Sequence, residues 1–298
     1  MKKEQDHECL ICGSNNNTVK QAVISDFLLE RIWDNEKNRR TELIFCGDCG
    51  FAFYSLRPTD EEMSRLYSGY RNEQYQEQRQ KFESWYTKEI NNCKEDMEAY
   101  ESRQGHMKNI IQKNAIDVSA IQSVLDYGGD TGLNIPLVFD NAEKYVFDIS
   151  GVKPEPGVTG IADLDELKKK KYDYIMNTAV LEHVSDPYKI LTNISEILGN
   201  GGLVYLEVPF DSPFYKKKSD NLQFLFNKKF SKTAIFKQFL RTLKNPYIMH
   251  EHINFFTPRS FEIMVRNAGW EIIDIRVETV KSHIVGRGQT LSVLARTK

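Results

Sequence analysis

The sequence predicts an α/β fold, in which helices cover both faces of a mostly parallel, doubly wound sheet. From about residue 121 onward, apolar strand-like runs alternate with helix-like and loop stretches, as in consecutive βα units. The first run ends in an acid and passes directly into a glycine-rich turn. Two further strand-like runs follow five βα units, which predicts seven strands with the last one reversed.

The predicted strands are read from apolar runs bounded by turn signals. They are 123–126, 144–149, 172–177, 201–209, 270–278 and 290–296, and a helix is predicted over roughly 187–198.

Length and composition limit the domain organisation and the class of protein. The 298 residues carry 40 Lys+Arg against 42 Asp+Glu, a formal net charge of −2. This length suggests one large domain and one smaller one, and the composition excludes collagen-like, disordered and disulfide-dense proteins. No run reaches the ~18 apolar residues of a membrane span, and the polar N-terminus lacks a signal-peptide core. We therefore expect a cytoplasmic protein with reduced thiols.

Four of the five cysteines form two Cys-x-x-Cys pairs, each followed by glycine. They are Cys9, Cys12, Cys46 and Cys49. Four thiolates form a closed tetrahedral site, the pattern of structural zinc, whereas a catalytic zinc site keeps one position open. A redox dithiol and ligation by His7 are the alternatives. The sequence predicts a zinc-ribbon domain over residues 1–56, with Cys93 as an ordinary thiol.

Residues 57–118 are predicted to form a helical connector. Pro58, the capping residue Thr59 and three acids mark a helix start. Recurring aromatic residues indicate a stripe that packs on the next domain. The alternative is that Tyr67, Tyr70 and Tyr75 line a substrate pocket between domains.

The glycine turn and a second acid indicate a nucleoside-containing ligand. Residues 126–132 read Asp-Tyr-Gly-Gly-Asp-Thr-Gly, and Asp148 ends the next strand, 16 residues after Gly132. Glycines admit a ligand close to the backbone, and an acid at that strand end can accept hydrogen bonds from a ribose diol. Nicotinamide enzymes share these features, but the turn is not G-x-G-x-x-G.

Further motifs carry a family resemblance. Residues 181–187 read Leu-Glu-His-Val-Ser-Asp-Pro, 252–258 read His-Ile-Asn-Phe-Phe-Thr-Pro, and 267–270 read Asn-Ala-Gly-Trp. With these runs, residues 119–298 resemble a Rossmann-like, class I S-adenosylmethionine (SAM)-dependent methyltransferase domain. With the cysteine pairs included, the whole chain resembles zinc-bearing deoxysugar C-methyltransferases and surface-glycan methyltransferases. The resemblance implies O- or C-methylation of a sugar, nucleotide sugar or glycan, in surface-polysaccharide or secondary-metabolite biosynthesis.

The resemblance implies specific cofactor contacts. Asp126, Gly128 and Gly132 match the glycine motif, Asp148 the ribose-binding acid, Asp163 the adenine contact, and Asn177 the loop near the sulfonium. The chain departs from the family at Asp130, where a third glycine is common. That carboxylate can meet the cofactor's ammonium or crowd the site, and Gly129 can compensate.

Methyl transfer to a hydroxyl or a carbon acid also needs a base, and histidine titrates near neutral pH. Glu251 and His252 match the Glu-His pair of the C-methyltransferases, with histidine as base and glutamate orienting it or binding a hydroxyl. His183 is a second active-site candidate, with loop capping as its alternative. The family's nearby tyrosine is not matched at Met249, so Tyr247 is the nearest substitute.

An insertion over 210–247 concentrates positive charge. Residues 216–244 contain nine Lys/Arg and one acid, which leaves the rest of the chain acidic. A lid helix with a solvated basic face is one interpretation. The other is a surface for an anionic acceptor, nucleotide-linked or lipid-linked, with peripheral membrane contact. An RNA substrate is disfavoured because the remainder lacks a broad basic track. A non-catalytic scaffold with this fold is the remaining alternative.

Overall fold

The structure is a computed structural model that describes residues 3–4, 7–33, 39–92, 96–211, 247–284 and 286–297. Cys93 and nearly all of the basic insertion (212–246) lie outside the described residues. The described strands are β1 (Lys3–Glu4), β2 (Asn17–Ile24), β3 (Arg40–Cys46), β4 (Ala52–Tyr54), β5 (Leu56–Arg57), β6 (Ser123–Tyr127), β7 (Glu143–Phe147), β8 (Val158–Ile161), β9 (Tyr172–Thr178), β10 (Leu198–Pro209), β11 (Ile248–Met249), β12 (Asn254–Phe255), β13 (Trp270–Ser282) and β14 (Gly286–Thr297).

Of the described helices, one precedes the predicted connector (57–118), four lie within it, and the others alternate with the later strands. In chain order, these helices are α1 (Asp26–Ile32), α2 (Asp60–Tyr67), α3 (Glu73–Phe82), α4 (Lys88–Asn91), α5 (Met97–Lys113), α6 (Leu164–Leu167), α7 (Pro187–Ile197) and α8 (Pro258–Asn267). Thr59 caps α2 in a reciprocal capping box with Glu62, as the start signal predicts. Within the described ranges, no helix combines the length and apolarity that a bilayer crossing demands.

The large sheet has seven strands in the order β13-β14-β10-β9-β6-β7-β8. The pairs from β10 to β8 are parallel, and β14 runs antiparallel to both of its neighbours. This confirms the predicted doubly wound α/β fold with a reversed last strand. The sequence analysis did not name β8, whose four residues include a glycine and are exposed or half-buried except for Ile161.

The register of the central strands positions the candidate cofactor residues. Asp126 on β6 lies opposite Met176 on β9 and Val146 on β7. Because these strands are parallel, their carboxyl ends meet at one edge of the sheet. The glycine turn, Asp148 and Asn177 therefore gather at that edge.

A second sheet of five strands has the order β11-β2-β3-β4-β12. β2 and β3 lie within the predicted zinc-ribbon domain, but β11 and β12 come from residues after the basic insertion. The small sheet thus combines strands from the predicted domain 1–56 with strands from the predicted domain 119–298. Its core also packs against the aromatic residues of α2 and α3.

Candidate active site

The four predicted metal ligands converge on one point beside the small sheet. The Sγ atoms of Cys9 and Cys49 are 3.6 Å apart, those of Cys12 and Cys46 are 3.5 Å apart, and all four lie within 4.8 Å of one another. Sulfur atoms bound tetrahedrally at a Zn–S distance of about 2.3 Å lie about 3.8 Å apart, so this cluster fits zinc. His7 instead pairs with Glu42 at 2.9 Å.

The second cysteine turn packs directly on the start of helix α8. Thr257, which caps α8, donates from its Oγ1 to the main-chain oxygen of Cys49 at 2.9 Å. A Cβ on Gly50 would lie 3.1 Å from the Thr257 side chain, and its φ of +76° also favours glycine. The cysteine cluster is therefore held against the segment that follows β12.

The glycine turn after β6 requires its glycines for two separate reasons. Gly128 has a φ of +80°, and a Cβ there would approach Val180 to 2.6 Å. A Cβ on Gly129 would lie 2.0 Å from the Asp126 carboxyl carbon. The turn is thus pressed against both the loop after β9 and its own strand-end acid. Gly132 also has a φ of +80°.

Asp126 is fully buried, and neither of its carboxyl oxygens has a hydrogen-bond partner among the described residues. Burial, reinforced by Asp148 and Asp130 nearby, raises the pKa of Asp126 to about 8. A buried carboxyl without a partner is costly in the protein alone. A cationic group of a ligand would satisfy it.

Asp148 is held at the end of β7 by two main-chain donors. Its carboxylate accepts from the N–H of Asp130 at 2.9 Å and from that of Ser150 at 2.7 Å. The next residue, Ile149, is 59% exposed, one of few large apolar side chains so exposed in the described chain. In sequence, Ile149 is the last residue of the predicted strand 144–149, so nothing in the pattern marked it as exposed.

The other predicted cofactor residues occupy different positions around this edge. Asn177 is buried and donates to the main-chain oxygen of Tyr127 at 2.8 Å, while its own oxygen has no hydrogen-bond partner in the described chain. Asp163 caps α6 by accepting from the N–H of Asp165 at 2.8 Å. Asp130 has a φ of +57° and faces Arg71 of the connector, with Nε and Oδ2 3.7 Å apart.

Two histidines face each other where the loop after β9, whose Val180 packs on Gly128, meets the segment between β11 and β12. His183 follows Val180 in the loop after β9, and His252 lies between β11 and β12. Their ring centroids are 4.8 Å apart at an interplanar angle of 78°. The Nδ1 of His252 lies 3.7 Å from the Asp211 carboxylate. The structure therefore brings together two of the predicted catalytic residues, from segments 69 positions apart.

The protonation preferences of the two histidines differ. Burial, with the nearby charge of His252, holds the pKa of His183 well below its usual range. Burial also disfavours the charged form of His252, but the carboxylates of Asp211, Glu182 and Glu251 outweigh it and raise the pKa of His252.

Glu251 is bound by the connector. The Tyr75 hydroxyl donates to its Oε1 at 2.8 Å, and the Arg79 guanidinium contacts both carboxylate oxygens, at 2.8 and 2.7 Å. The main-chain oxygen of Glu251 lies 3.1 Å from the Nδ1 of His183. The side chain of Glu251 thus points to α3, while its backbone supports the histidine pair.

The predicted substrate tyrosines separate into two groups. Tyr75 is buried, and Tyr70 packs edge-on against it, with centroids 5.3 Å apart. Tyr247 instead contacts Phe45 in the small sheet. Tyr67 lies edge-on to His183 at 5.9 Å, and its buried hydroxyl has no hydrogen-bond partner among the described residues. Of these tyrosines, Tyr67 has the ring contact with the histidine pair.

Arg57, which the sequence analysis did not single out, joins the small sheet to the loop of His183. Its buried guanidinium donates to the main-chain oxygens of Val184 and Ser185, each at 2.8 Å, and to the side chain of Asn254 at 2.7 Å. Asn254 in turn donates to the main-chain oxygens of Leu181 and Val184. An arginine beside a proline gave no sequence signal for this role.

The fold and this site agree with a family match over most of the chain. Residues 69–275 match the model of a methyltransferase domain. The chain belongs to this methyltransferase family. It is a SAM-dependent methyltransferase of class I, with the seven-stranded sheet described above.

Solved structures with similar folds include other methyltransferases. A Bacillus halodurans protein described as a methyltransferase has a TM-score of 0.39 and 12% identity, covering 63% of this chain and 97% of its own. A Galdieria sulphuraria protein described as a sarcosine dimethylglycine methyltransferase has a TM-score of 0.42 and 11% identity, covering 65% and 85%. At these scores the likenesses add nothing to the family assignment. No curated protein matches the methyltransferase significantly.

Proposed function

We propose that this methyltransferase acts on a sugar, nucleotide sugar or glycan, by O- or C-methylation in surface-polysaccharide or secondary-metabolite biosynthesis. The observation that carries the proposal is the His183–His252 pair, whose ring centroids are 4.8 Å apart. His183 lies in the loop whose Val180 packs on Gly128 of the glycine turn. The pair combines a neutral imidazole with one whose pKa is raised, next to a buried carboxylate. Such groups can bind a hydroxyl and remove a proton from it or from an adjacent carbon.

The glycine turn and its surroundings fit SAM. Asp126 and Asp130 would hold the ammonium, Asp148 the ribose diol, and Asp163 the adenine amine, with Ile149 against the adenine face. Gly128 and Gly132 let the backbone approach the ligand. The oxygen of Asn177 is available on the sulfonium side. SAM, when bound, supplies an activated methyl group, so the protein's task is alignment and proton removal.

His252 is the proposed general base. Asp211 and Glu182 stabilise its protonated form after it takes the acceptor's proton. Glu251 would position the loop of His252 and would not act as a base, because Arg79 and Tyr75 already contact its carboxylate. His183 stays neutral and offers a hydrogen-bond acceptor. Tyr67 and Tyr70 would border the acceptor.

An anionic acceptor, nucleotide-linked or lipid-linked, is part of the proposal. It is supported by the nine Lys/Arg of residues 216–244, which follow Asp211 in sequence. Nucleotide diphosphate sugars combine such a charge with the hydroxyl groups that the histidine pair would bind. The zinc ion held by the four cysteines would be structural, since all four ligand positions are thiolates.

A screen with labelled methyl donor tests the proposal. We would incubate the enzyme with labelled SAM and a panel of nucleotide sugars, with bulk RNA as the comparison acceptor. We expect label in at least one sugar, and NMR of the product would show whether carbon or oxygen carries it. Label in RNA and in none of the sugars would contradict the proposal.

A further inference from the structure

Glu182 is a buried carboxylate that the proposed mechanism uses only electrostatically. It is 2% exposed, and neither of its side-chain oxygens has a hydrogen-bond partner within the described part of the chain. Its main-chain oxygen accepts from the N–H groups of Ile253 and Asn254, at 2.8 and 3.0 Å. The backbone thus fixes Glu182 beside the segment that carries His252, while its carboxylate is left to a ligand.

The ring of His183 presents a second acceptor to the same space. Its Nδ1 lies 3.1 Å from the main-chain oxygen of Glu251, and a carbonyl oxygen only accepts hydrogen bonds. Nδ1 therefore carries the proton, and in the neutral ring Nε2 has a lone pair. That Nε2 lies 3.7 Å from the Oε1 of Glu182. Burial raises the pKa of Glu182 to about 7, so above that pH its carboxyl is ionised and only accepts hydrogen bonds. Two acceptors then face each other across this 3.7 Å gap.

This acceptor-only pair requires a ligand that brings donors. A buried acceptor left without a donor destabilises the site. A ligand that donates to it therefore gains more binding free energy than it would from a solvent-exposed hydrogen bond. A hydroxyl has one hydrogen and can donate to only one of these two acceptors, so the other acceptor needs a second donor. The second carboxylate oxygen can accept from a neighbouring hydroxyl, since a carboxylate binds two donors at once.

We infer that Glu182 and His183 bind two adjacent hydroxyl groups of the acceptor, so that the enzyme selects a vicinal diol. The inference rests on the proposed sugar acceptor and narrows it. Glu182 becomes a specificity-determining residue, whereas His252 remains the base. A sugar that lacks one hydroxyl of the pair would leave a buried acceptor unsatisfied and would be rejected.

Binding to the product complex tests the inference without turnover. The enzyme would be saturated with S-adenosylhomocysteine and titrated with UDP-glucose, dTDP-glucose and their 2-, 3- and 4-deoxy analogues, by calorimetry and saturation-transfer NMR. For the wild type we expect the critical deoxy sugar to bind at least about 10-fold more weakly than its parent. The isosteric variant Glu182→Gln should bind the parent more weakly and lose most of that discrimination. Glu262→Gln, on the exposed face of α8, is the matched control.

Each other outcome has a definite meaning. Unchanged deoxy discrimination in Glu182→Gln would overturn the inference and leave the sugar acceptor intact. Failure of every sugar to bind the wild type would overturn both. Glu182, His183 and His252 also place three ligand atoms within 4.8 Å, a spacing that suits a divalent ion. A second metal per chain, beyond the zinc of the cysteines and lost in Glu182→Gln, would overturn the diol inference.

Discussion

Asp126 shows how one residue links the fold to cofactor binding. Its carboxyl is buried between the central strands, and the absence of a side chain at Gly129 makes room for it. Three carboxyls (Asp126, Asp130 and Asp148) converge here, with Arg71 beside Asp130 and Arg103 acting at longer range. A cationic ligand relieves their mutual repulsion.

We predict that SAM binding releases a proton near pH 7. Because the pKa of Asp126 is raised to about 8, this carboxyl is mostly protonated in the free enzyme at pH 7. A bound ammonium favours the ionised form, so affinity should rise as pH increases from 6 to 8. Calorimetry in buffers of different ionisation enthalpy counts the protons. Asp126→Asn should abolish the release, and release that persists in this variant would contradict the assignment.

His252 leads to a prediction about the pH dependence of catalysis. A base must be unprotonated in the free enzyme, so kcat/KM should fall as pH drops through its pKa. Since that pKa is raised above 6.5, the acid limb should lie above pH 6.5. Asp211→Asn removes one carboxylate that favours the charged ring, while Glu182, Glu251 and the ring of His183 remain. We therefore expect this variant to move the acid limb to lower pH. An acid limb that stays at the same pH in Asp211→Asn would show that the limb does not report the ionisation of His252.

At the scale of elements, helix α3 holds the loop that carries Glu251 and His252. Arg79 contacts Glu251 with two guanidinium nitrogens and donates from Nε to Glu83 at 2.7 Å. Glu83 in turn pairs with His250, on the same loop as Glu251. Arg79 also lies 3.9 Å from the ring centre of Tyr86. The end of α3 thus holds the loop of His252 at two points: Arg79 contacts Glu251, and Glu83 contacts His250.

Replacing Arg79 should disturb both stability and turnover. Arg79→Met removes the guanidinium that contacts buried Glu83 and half-buried Glu251, and breaking a buried pair costs about 3–5 kcal/mol. We expect that loss in denaturant unfolding, and a larger fall in kcat than in SAM affinity. Arg79→Lys keeps the charge but not the bidentate geometry, so it should recover part of the stability and less of kcat. Equal kcat in Arg79→Met and the wild type would show that the loop is held by other contacts.

At the scale of the whole molecule, the loop that carries Glu251 and His252 begins and ends at strands of the small sheet. β11 pairs with β2 and β12 with β4, so Glu251 and His252 are suspended between them. The cysteine cluster lies next to β4, and the main chain of Cys49 binds Thr257 immediately after β12. Zinc bound there would stabilise the sheet that positions the base.

Removing the metal should therefore affect acceptor chemistry before cofactor binding. We expect one zinc per chain by elemental analysis. Cys46→Ser should lower the zinc content, destabilise the small sheet and reduce turnover at least about 10-fold, because structural zinc contributes folding free energy. SAM affinity should change by less than that, since the glycine turn belongs to the large sheet. Cys93→Ser is the control and should keep the zinc. Full turnover without zinc would contradict this role.

The sequence predicted the features that depend on local pattern. Alternating apolar runs gave six of the seven strands of the large sheet, and the reversed final strand followed from their count. The cysteine spacing predicted the cluster that the structure brings together. In contrast, β11 and β12 have only two residues each, too short for any periodicity. Their place in the small sheet depends on pairing across about 200 residues.

The candidate site shows the same division. Asp126, Asp148 and Asn177 could be placed because strand ends are visible in the sequence. The partners of Glu251, the pairing of His183 with His252, and the burial of Glu182 arise from packing between the connector and distant loops. The role of Arg57 arises in the same way, and no single segment contains the information for these contacts.

We propose that methyl transfer to a sugar depends on the His183–His252 site. The most direct test compares wild type and His252→Ala in transfer of labelled methyl to the nucleotide sugar found in the screen, with SAM affinity measured alongside by calorimetry. We expect the variant to lose turnover at least about 100-fold, the range typical of a general base, while its SAM affinity stays within a few-fold. Retained turnover in His252→Ala would contradict a role for His252 as the base.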